Sequence, residues 1–190
     1  MEKVFIEDKK FEGINFSVTA LAKGDYENCS FINCDFSGIN LSGQNFSDCT
    51  FTGSNLGMAA LGKTAFRDCR FAGCKLLGLH FEHCNPIGLT VHFDHCILDM
   101  ASFYQLKLKN TSFKNSTLTE TDFTEADLTA CVFDNCNLAG AIFDRTILEK
   151  ADLSTAYNYT IDPELNRIKK AKFSSSGIAG LLSKYDIEIC

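Results

Sequence analysis

The chain has 190 residues, 45 % of them hydrophobic, and a net charge of −6. This size suits one domain with one core, and the acidic balance excludes a general affinity for nucleic acid or anionic lipid. The chain contains no run of about 18 apolar residues, which excludes a membrane span. Charges stand where a signal peptide has its apolar region, so we expect a cytoplasmic protein.

Residues 1–10 form a short lead-in, in which we expect Val4 and Ile6 to lie over the first repeat. From Phe11 to Phe81, and again from Phe93 to Leu153, a large residue recurs every five positions. All 28 of these positions are Phe, Leu or Tyr, although these types make up only 41 of the 190 residues. A period of five fits neither a helix nor a flat strand. It indicates a chain that turns a corner every five residues, with one large side chain pointing inward from each side.

The residue two places before each large one is usually small, and the other three positions are mostly polar turn residues. A large and a small inward residue on each side can fill a narrow core without voids. The small positions include Cys29, Cys34, Cys49, Ser54, Ala59, Cys69, Cys74, Ala101, Ala126, Cys131, Cys136, Ala141 and Ala151.

The pattern also recurs every twenty residues, which predicts four sides to each coil. One side is all Phe from Phe11 to Phe133, if the slip between the two runs lies within a single side. A second side runs from Phe16 to Leu138 and a third from Leu21 to Phe143. Like residues therefore stack on like at one strand spacing. The sequence predicts an all-β fold, a four-sided parallel β-solenoid over residues 11–153.

The repeat slips by two residues in the segment CNPIGLTVH, residues 84–92. Pro86 removes a backbone donor from a ladder position. An insertion of two residues is too short for a projecting loop. We therefore expect a bulge at this break.

Residues 154–190 are predicted to form an irregular coil that includes Phe173, then a short helix and a short strand. Asp162 and Pro163 are suited to begin a helical turn. Four residues then fall on one helical face, and residues 185–189 alternate like a strand. A solenoid exposes its core at its ends, so this tail is expected to cap the last coil. The helical face consists of Ile178, Leu181, Leu182 and Tyr185.

Cysteine and histidine do not indicate a metal site. Nine of the ten cysteines occupy or adjoin the small inward position, where a reduced thiol packs as a small hydrophobe, and zinc-type C-x2-C pairs are missing. The four histidines stand at outward positions, next to Phe residues assigned to opposite sides. The chain also lacks a nucleophile–base arrangement, so we expect neither an enzyme nor a cofactor. The residues concerned are Cys29, Cys34, Cys49, Cys69, Cys74, Cys84, Cys96, Cys131, Cys136, the terminal Cys190, and His80, His83, His92 and His95.

Stretches such as CSFINCDFSGINL and TDFTEADLTACVFDNCNLAGAIF resemble the A(D/N)LXX pattern of the pentapeptide-repeat family, over about residues 11–153. The resemblance implies a right-handed quadrilateral β-helix. It also implies that the C-terminal segment is a dimer interface as well as a cap, because related proteins dimerise through C-terminal helices and strands. The candidate interface residues are Ile178, Leu181, Leu182, Tyr185, Ile187 and Ile189.

The resemblance points to the Qnr-type quinolone-resistance proteins, which protect DNA gyrase and topoisomerase IV by imitating DNA. It implies that acidic residues of the solenoid form the partner-binding surface, with Lys63, Arg67, Lys107 and Lys109 interrupting it. One group of acidic residues follows one side, and a second group follows the adjacent side. The two groups are Asp25, Glu27, Asp48 and Asp68, and Asp122, Glu125 and Asp144.

Two features depart from the Qnr pattern. The chain has only a two-residue insertion in place of projecting loops, and many outward positions are Gly, Ser, Thr or Asn. The alternative interpretation is a structural or protein-interaction scaffold with no topoisomerase role, whose acidic residues are ordinary solvated charge.

Overall fold

The structure is a computed structural model that describes residues 4–188. Within these residues it has thirteen short strands, all paired in parallel, one helix α1 (Ala179–Leu182) and two 3-10 turns (Phe81–His83 and Ser183–Tyr185). No helix in this range is long and apolar enough to cross a membrane. The strands are β1 (Val4–Glu7), β2 (Lys10–Glu12), β3 (Gly24–Glu27), β4 (Ser30–Ile32), β5 (Asn45–Ser47), β6 (Thr50–Thr52), β7 (Ala65–Arg67), β8 (Cys69–Ala72), β9 (Val91–Asp94), β10 (Ser112–Lys114), β11 (Val132–Asp134), β12 (Asp152–Leu153) and β13 (Lys172–Phe173).

The chain winds into a right-handed, four-sided parallel β-solenoid of about eight turns, which confirms the predicted fold. We number the sides by their inward residues in the first coils: Phe11, Phe16, Leu21 and Tyr26 mark the first to the fourth side. A nine-stranded sheet from β2 to β13 forms the first side, and β1, β3, β5 and β7 begin the fourth. The second and third sides pair through isolated parallel bridges, mostly between residues twenty apart.

Phenylalanine rings form the ladder of the first side. From Phe11 to Phe133 their centroids are 4.8–5.4 Å apart and the rings lie within 17° of parallel. Rings from the third side meet them edge-on, as where Phe113 and Phe123 cross at 85°. Stacked and edge-to-face contacts are both favourable arrangements of aromatic rings. This core explains why the large positions tolerate so few residue types.

The small inward position also has a polar role. In most coils the hydroxyl or thiol there donates to a backbone carbonyl 23 residues earlier, in the preceding coil, as Thr64 Oγ1 does to Leu41 O at 2.8 Å. Ser54 and Cys49 make the same contact, at 3.1 Å and 3.5 Å. Size alone does not distinguish Ala from Ser, Thr or Cys at these sites, but the hydrogen bond does.

Most corners turn at the residue two places after a large one, and that residue adopts the left-handed backbone conformation. Asp48 and Asp68 have φ angles of 52° and 50°, and Lys150 has 60°. Asn, Asp and Gly tolerate this conformation best, which accounts for their abundance at the corners. The corners direct these side chains outward along the edges of the solenoid.

The two-residue slip lies within a single side, as the all-Phe ladder of the first side requires, and that side is the fourth. The first-side sheet crosses it without a break, because β8 pairs directly with β9 and Phe71 stacks on Phe93. The four-stranded sheet of the fourth side ends at β7, just before the slip. Residues 85–89 form a low turn around Ile87 and Gly88. Pro86 has no N–H to continue the ladder.

The first and last coils extend beyond the expected limits of 11 and 153. Val4 and Ile6 do not lie over the first coil; they belong to β1, which pairs with β3 as part of that coil. At the other end, β13 pairs with β12 and brings Phe173 below Leu153. Parallel pairing therefore runs from Val4 to Phe173.

The tail differs in detail from its prediction. Asp162 and Pro163 begin a hydrogen-bonded turn and not a helix, since Asp162 accepts from the N–H of Glu164 at 2.8 Å. The expected strand over 185–189 is not formed in its described part, residues 185–188. Tyr185 ends a 3-10 turn instead, with its hydroxyl on Glu164 at 3.0 Å, and Asp186 takes a left-handed φ of 50°.

Helix α1 folds back on the last coil. The N–H of Ile161 donates to Gly180 O at 3.0 Å, and Leu181 packs against the core. A side chain at Gly180 would collide with the backbone oxygen of Tyr159, so only glycine permits this approach. Lys184 adds ion pairs to Asp162 and Glu164 at 2.8 Å and 2.7 Å. The tail covers the end of the solenoid.

Candidate functional site

The fourth side carries the most uneven charge distribution of the molecule, and the insertion divides it in two. Its four coils before the insertion carry six carboxylates and one guanidinium, a net charge of −5. We call this surface the acidic half. Its residues are Glu7, Asp8, Asp25, Glu27, Asp48, Arg67 and Asp68.

The four coils after the insertion carry six basic and two acidic residues, a net charge of +4. We call this surface the basic half. Lys107 and Lys109 do not interrupt an acidic stripe, as predicted from the sequence, but begin a separate surface of opposite sign. The residues of the basic half are Lys107, Lys109, Asp127, Glu149, Lys150, Arg167, Lys169 and Lys170.

Several residues of the acidic half lie along one corner of the solenoid. Asp8, Asn28, Asp48 and Asp68 are successive residues of the corner between the fourth and first sides, and all have positive φ. Asn28 Nδ2 donates to Asp8 at 2.6 Å, and Asn45 donates to Asp25. Glu27, Asp48 and Asp68 are exposed and make no ion pair or side-chain hydrogen bond with another described residue.

The density of this charge is closer to that of DNA than the whole-chain average suggests. Four coils span roughly 19 Å at one strand spacing each. Duplex DNA of that length carries about 11 negative charges. A net −5 is therefore a little under half the duplex value. Lys23 and Lys63 lie at the corner with the third side, which concentrates the negative charge towards the first side.

The second predicted acidic group lies on the third side, and its carboxylates form ion pairs and hydrogen bonds within the chain. Arg145 contacts Glu125 at 3.0 Å and Asp144 at 3.1 Å, and Asp122 caps the N–H of Thr124 at 2.8 Å. The pKa of Glu125 is lowered, first because Gln105 donates a hydrogen bond to it and then because Arg145 does. These three carboxylates lie near one another but are less available to a partner than the acidic half.

The second side has a different character, which sequence reasoning missed. Met58, Leu77, Ile97 and Met100 are 66 %, 42 %, 40 % and 59 % exposed and occupy adjacent coils. We call this surface the apolar patch. Its signal was present in the sequence, because apolar residues stand at outward positions of the repeat.

Histidines and cysteines occupy the predicted positions. His80 and His83 stack on the third side with ring centroids 5.4 Å apart, while His92 lies on the first side in a shallow groove of about 440 Å³ with Arg70 and Lys114. Burial lowers the pKa of His92. No group of three metal-ligating side chains occurs within residues 4–188, and the nine cysteines of that range are buried, unpaired thiols.

The predicted dimer-interface residues divide into two sets. Leu181 and Leu182 are half-buried against the solenoid end, whereas Ile178, Tyr185 and Ile187 are 48 %, 51 % and 56 % exposed. The structure thus leaves three of these side chains available on the outer surface of the cap. Ile189 and Cys190 lie outside the described residues.

A family model described as a pentapeptide repeat region matches residues 24–86 and 89–157, with its gap at the insertion. A comparison with curated proteins gives no match. Among solved structures, full-length QnrB1, a plasmid-mediated fluoroquinolone resistance protein, has a TM-score of 0.54 and 17 % identity, and the match covers 97 % of this chain and 100 % of QnrB1. A trypsin-treated QnrB1 variant has a TM-score of 0.53, 17 % identity and full coverage of both chains.

HetL, a pentapeptide repeat protein involved in heterocyst differentiation regulation from the cyanobacterium Nostoc sp. strain PCC 7120, has a TM-score of 0.43 and 14 % identity, and the match covers 88 % of this chain and 86 % of HetL. At 17 % identity the likeness to QnrB1 shows the fold alone.

Proposed function

The chain belongs to the pentapeptide-repeat family, and from that premise we propose that it is a non-enzymatic protein that binds another macromolecule through its outer faces. Proteins of this family are in general structural or binding proteins. The filled core leaves only outward residues for function. We also assign it to the cytoplasm, because nine buried, unpaired thiols suit a reducing compartment.

The more specific proposal is a Qnr-like interaction with DNA gyrase or topoisomerase IV, in which the acidic half imitates a short length of DNA. The observation that carries it is the net charge of −5 within four coils. The partner class comes from the resemblance of the repeats to the Qnr-type proteins, and QnrB1, a fluoroquinolone resistance protein, has a similar fold. Binding would be electrostatic and would weaken with salt.

A gyrase supercoiling assay with ciprofloxacin tests this proposal. The wild-type protein at micromolar concentration is expected to inhibit supercoiling or to protect the enzyme from the drug. Neutralising Glu27→Gln, Asp48→Asn and Asp68→Asn together should abolish the effect. Asn suits the left-handed corners of Asp48 and Asp68, so this variant changes charge and not backbone conformation.

The matched control neutralises three carboxylates away from the fourth side: Glu12→Gln, Glu120→Gln and Asp134→Asn. It should retain the wild-type effect, which separates the acidic half from net charge. If wild-type protein neither inhibits gyrase nor rescues it from the drug, the gyrase proposal is wrong.

In that case the alternative is a protein-interaction scaffold with no topoisomerase role. The apolar patch favours this alternative, because exposed Met, Leu and Ile in adjacent coils form a surface typical of protein contacts. Changing Met58 and Met100 to Gln should then remove binding while the acidic-half variant retains it.

We further propose that the tail joins two copies as well as capping the solenoid. The support is the exposure of Ile178, Tyr185 and Ile187 on the outer surface of the cap. Such a contact is apolar and would persist at high salt.

A further inference from the structure

The two halves of the fourth side are placed evenly around the insertion. Four coils with Ile6, Tyr26, Phe46 and Phe66 as inward residues precede it, and four with Leu108, Leu128, Leu148 and Ile168 follow it. One surface of −5 and one of +4 thus lie along the same face of one rod. A face of this kind is complementary to itself when it is reversed end to end.

The charges of the acidic half are too far from those of the basic half to pair with them within one chain. Asp48 and Lys150 are separated by five coil spacings, roughly 24 Å, which is well beyond the Debye length of about 8 Å at physiological salt. Lys150, Lys169 and Lys170 are exposed and make no ion pair within residues 4–188. Other charges pair locally, both within the basic half, as Arg167 does with Glu149 at 2.6 Å, and elsewhere, as Lys172 does with Asp152 at 2.9 Å.

We propose that a second copy of this chain docks antiparallel on the fourth side, with the acidic half of each copy against the basic half of the other. The symmetry is a two-fold axis that lies in the interface, perpendicular to the solenoid axis. This rotation reverses the order of the coils but keeps each corner of one copy against the same corner of the other. The interface is therefore isologous and closes as a pair.

One register brings opposite charges together without placing like charges opposite. If the two-fold axis passes between the insertion and the Leu108 coil, Asp48 lies opposite Lys150 and Glu27 opposite Lys169. In the same register Arg67 lies opposite Thr129 and not opposite a lysine. Ile87, which is 75 % exposed on the insertion, then lies close to the axis, where contact with the partner covers it.

The size of the face predicts a weak complex. A side of five residues and eight coil spacings measures roughly 16 Å by 38 Å. Two such faces bury about 1,200 Å², the low end of specific interfaces. Charge pairs of this kind contribute to specificity more than to affinity, so the complex should dissociate as salt is raised.

This inference does not rest on the gyrase proposal, although the two concern the same acidic half. Self-association would occupy the surface that gyrase binding needs. A variant of the basic half separates the proposals, because it prevents self-association and leaves the acidic half unchanged.

The experiment measures mass by light scattering and sedimentation at about 50 mM and 500 mM salt, with the full chain at tens of micromolar. The wild-type mass should fall between low and high salt, to that of the monomer or, where the tail joins two copies, to that of the tail dimer. Two variants are compared: Glu27→Lys with Asp48→Lys, and Lys150→Glu with Lys169→Glu. Each should show the high-salt mass already at low salt.

A mixture of the two variants provides the decisive result. In the register given above, the first variant places Lys opposite Lys at both pairs of positions, and the second places carboxylate opposite carboxylate. In the mixture, every one of these positions faces a residue of opposite charge. The mixture should recover the low-salt wild-type mass. Asp48 and Lys150 stand at left-handed corners. Lys170, Glu120 and Glu125 occupy other corners in the same conformation, so both Lys and Glu fit the backbone there.

The control variant, Lys75→Glu with Lys114→Glu, changes net charge as much as the basic-half variant does. Its two substitutions lie on the second and first sides, so it should leave the mass unchanged. A wild-type mass that does not depend on salt, or a mixture that fails to associate, would overturn the inference. If the basic-half variant lost self-association but showed no gyrase effect, the gyrase proposal alone would fail.

Discussion

At the scale of the residue, Cys49 shows why the small inward position is more than a gap to be filled. Its thiol points at Tyr26 O, one coil earlier, at 3.5 Å. Burial raises the pKa of Cys49 to about 12, because the thiolate would lose its hydration. Cys131 has the same environment, and burial raises its pKa also to about 12. These cysteines are packing residues with a weak donor, and not nucleophiles.

The thiols should therefore be unreactive in the folded protein. At pH 8 a thiol reagent such as DTNB is expected to modify none of the nine described cysteines within minutes, and to modify all of them in denaturant. The terminal Cys190, outside the described residues, sets an upper limit of one fast thiol. Rapid native-state reaction of two or more would contradict the buried assignment.

Phe51 and Phe113 test the aromatic ladder. Both are completely buried, and Phe51 stacks on Phe31 and Phe71 with centroids 4.8 Å away on each side. Alanine at either position should lower the free energy of unfolding by about 3–5 kcal/mol, because a large buried ring leaves a cavity. Urea denaturation measures this loss. Ile142→Ala, which is half exposed, serves as the control and should change stability by less than about 0.5 kcal/mol.

At the scale of the element, the last two strands of the first side are joined by a titratable contact. The Ser154 hydroxyl and the Lys172 ammonium both bond to the Asp152 carboxylate, at 2.6 Å and 2.9 Å. These bonds, that of Ser154 first, lower the pKa of Asp152 to about 2. Because the folded pKa is depressed, the contact stabilises the fold above the ordinary aspartate pKa of about 3.9 and is lost as pH falls towards 2.

Asp152→Asn should therefore flatten the dependence of stability on pH between about 4 and 2. Urea unfolding of the wild type and the variant across this range makes the comparison. Asp134→Asn, one coil earlier on the same side, controls for the loss of a carboxylate. If stability fell equally steeply with pH in the wild type and in Asp152→Asn, the contact between β12 and β13 would not be the cause of the pH dependence.

Much of the fold was predictable at this scale because each large residue repeats the same packing problem every five positions. Phe71 and Phe93 identified the slip, since their ladder continues across it. The tail was less predictable. Asp162 and Tyr185 have their positions fixed by Lys184 and Glu164, which are long-range partners that a local pattern of helix or strand does not contain.

At the scale of the whole molecule, the distribution of charge on the surface could not be predicted from sequence spacing alone. The acidic residues Asp25 to Asp68 were placed correctly on one side, but Lys107 and Lys109 appeared as interruptions. Only the register across the insertion shows that charge reverses along the rod. Net charge was a poor guide because opposite surfaces cancel in the total.

Truncation after residue 173 tests the role of the tail. It removes α1 and exposes the end of the solenoid around Tyr159 and Ile161, which are buried in the full chain. We expect a high-salt dimer to become a monomer or an aggregate, measured by light scattering. Substituting Ile178 and Ile187 by Gln keeps the cap and removes only outward apolar groups, so it should give a soluble monomer. An unchanged high-salt dimer in both would contradict the tail interface.

The uniform register has a consequence for how such a molecule changes length. Phe93 meets Phe113 as Phe113 meets Phe133, with rings 5.1 Å and 4.9 Å apart, and each coil touches only its neighbours. Excising residues 113–132 would join equivalent positions and shorten the rod by one spacing, roughly 4.8 Å. Length is thus gained or lost in whole units of twenty residues. The distance between the acidic and basic halves is set by a count of coils, and gene duplication within the repeat can adjust it in discrete steps.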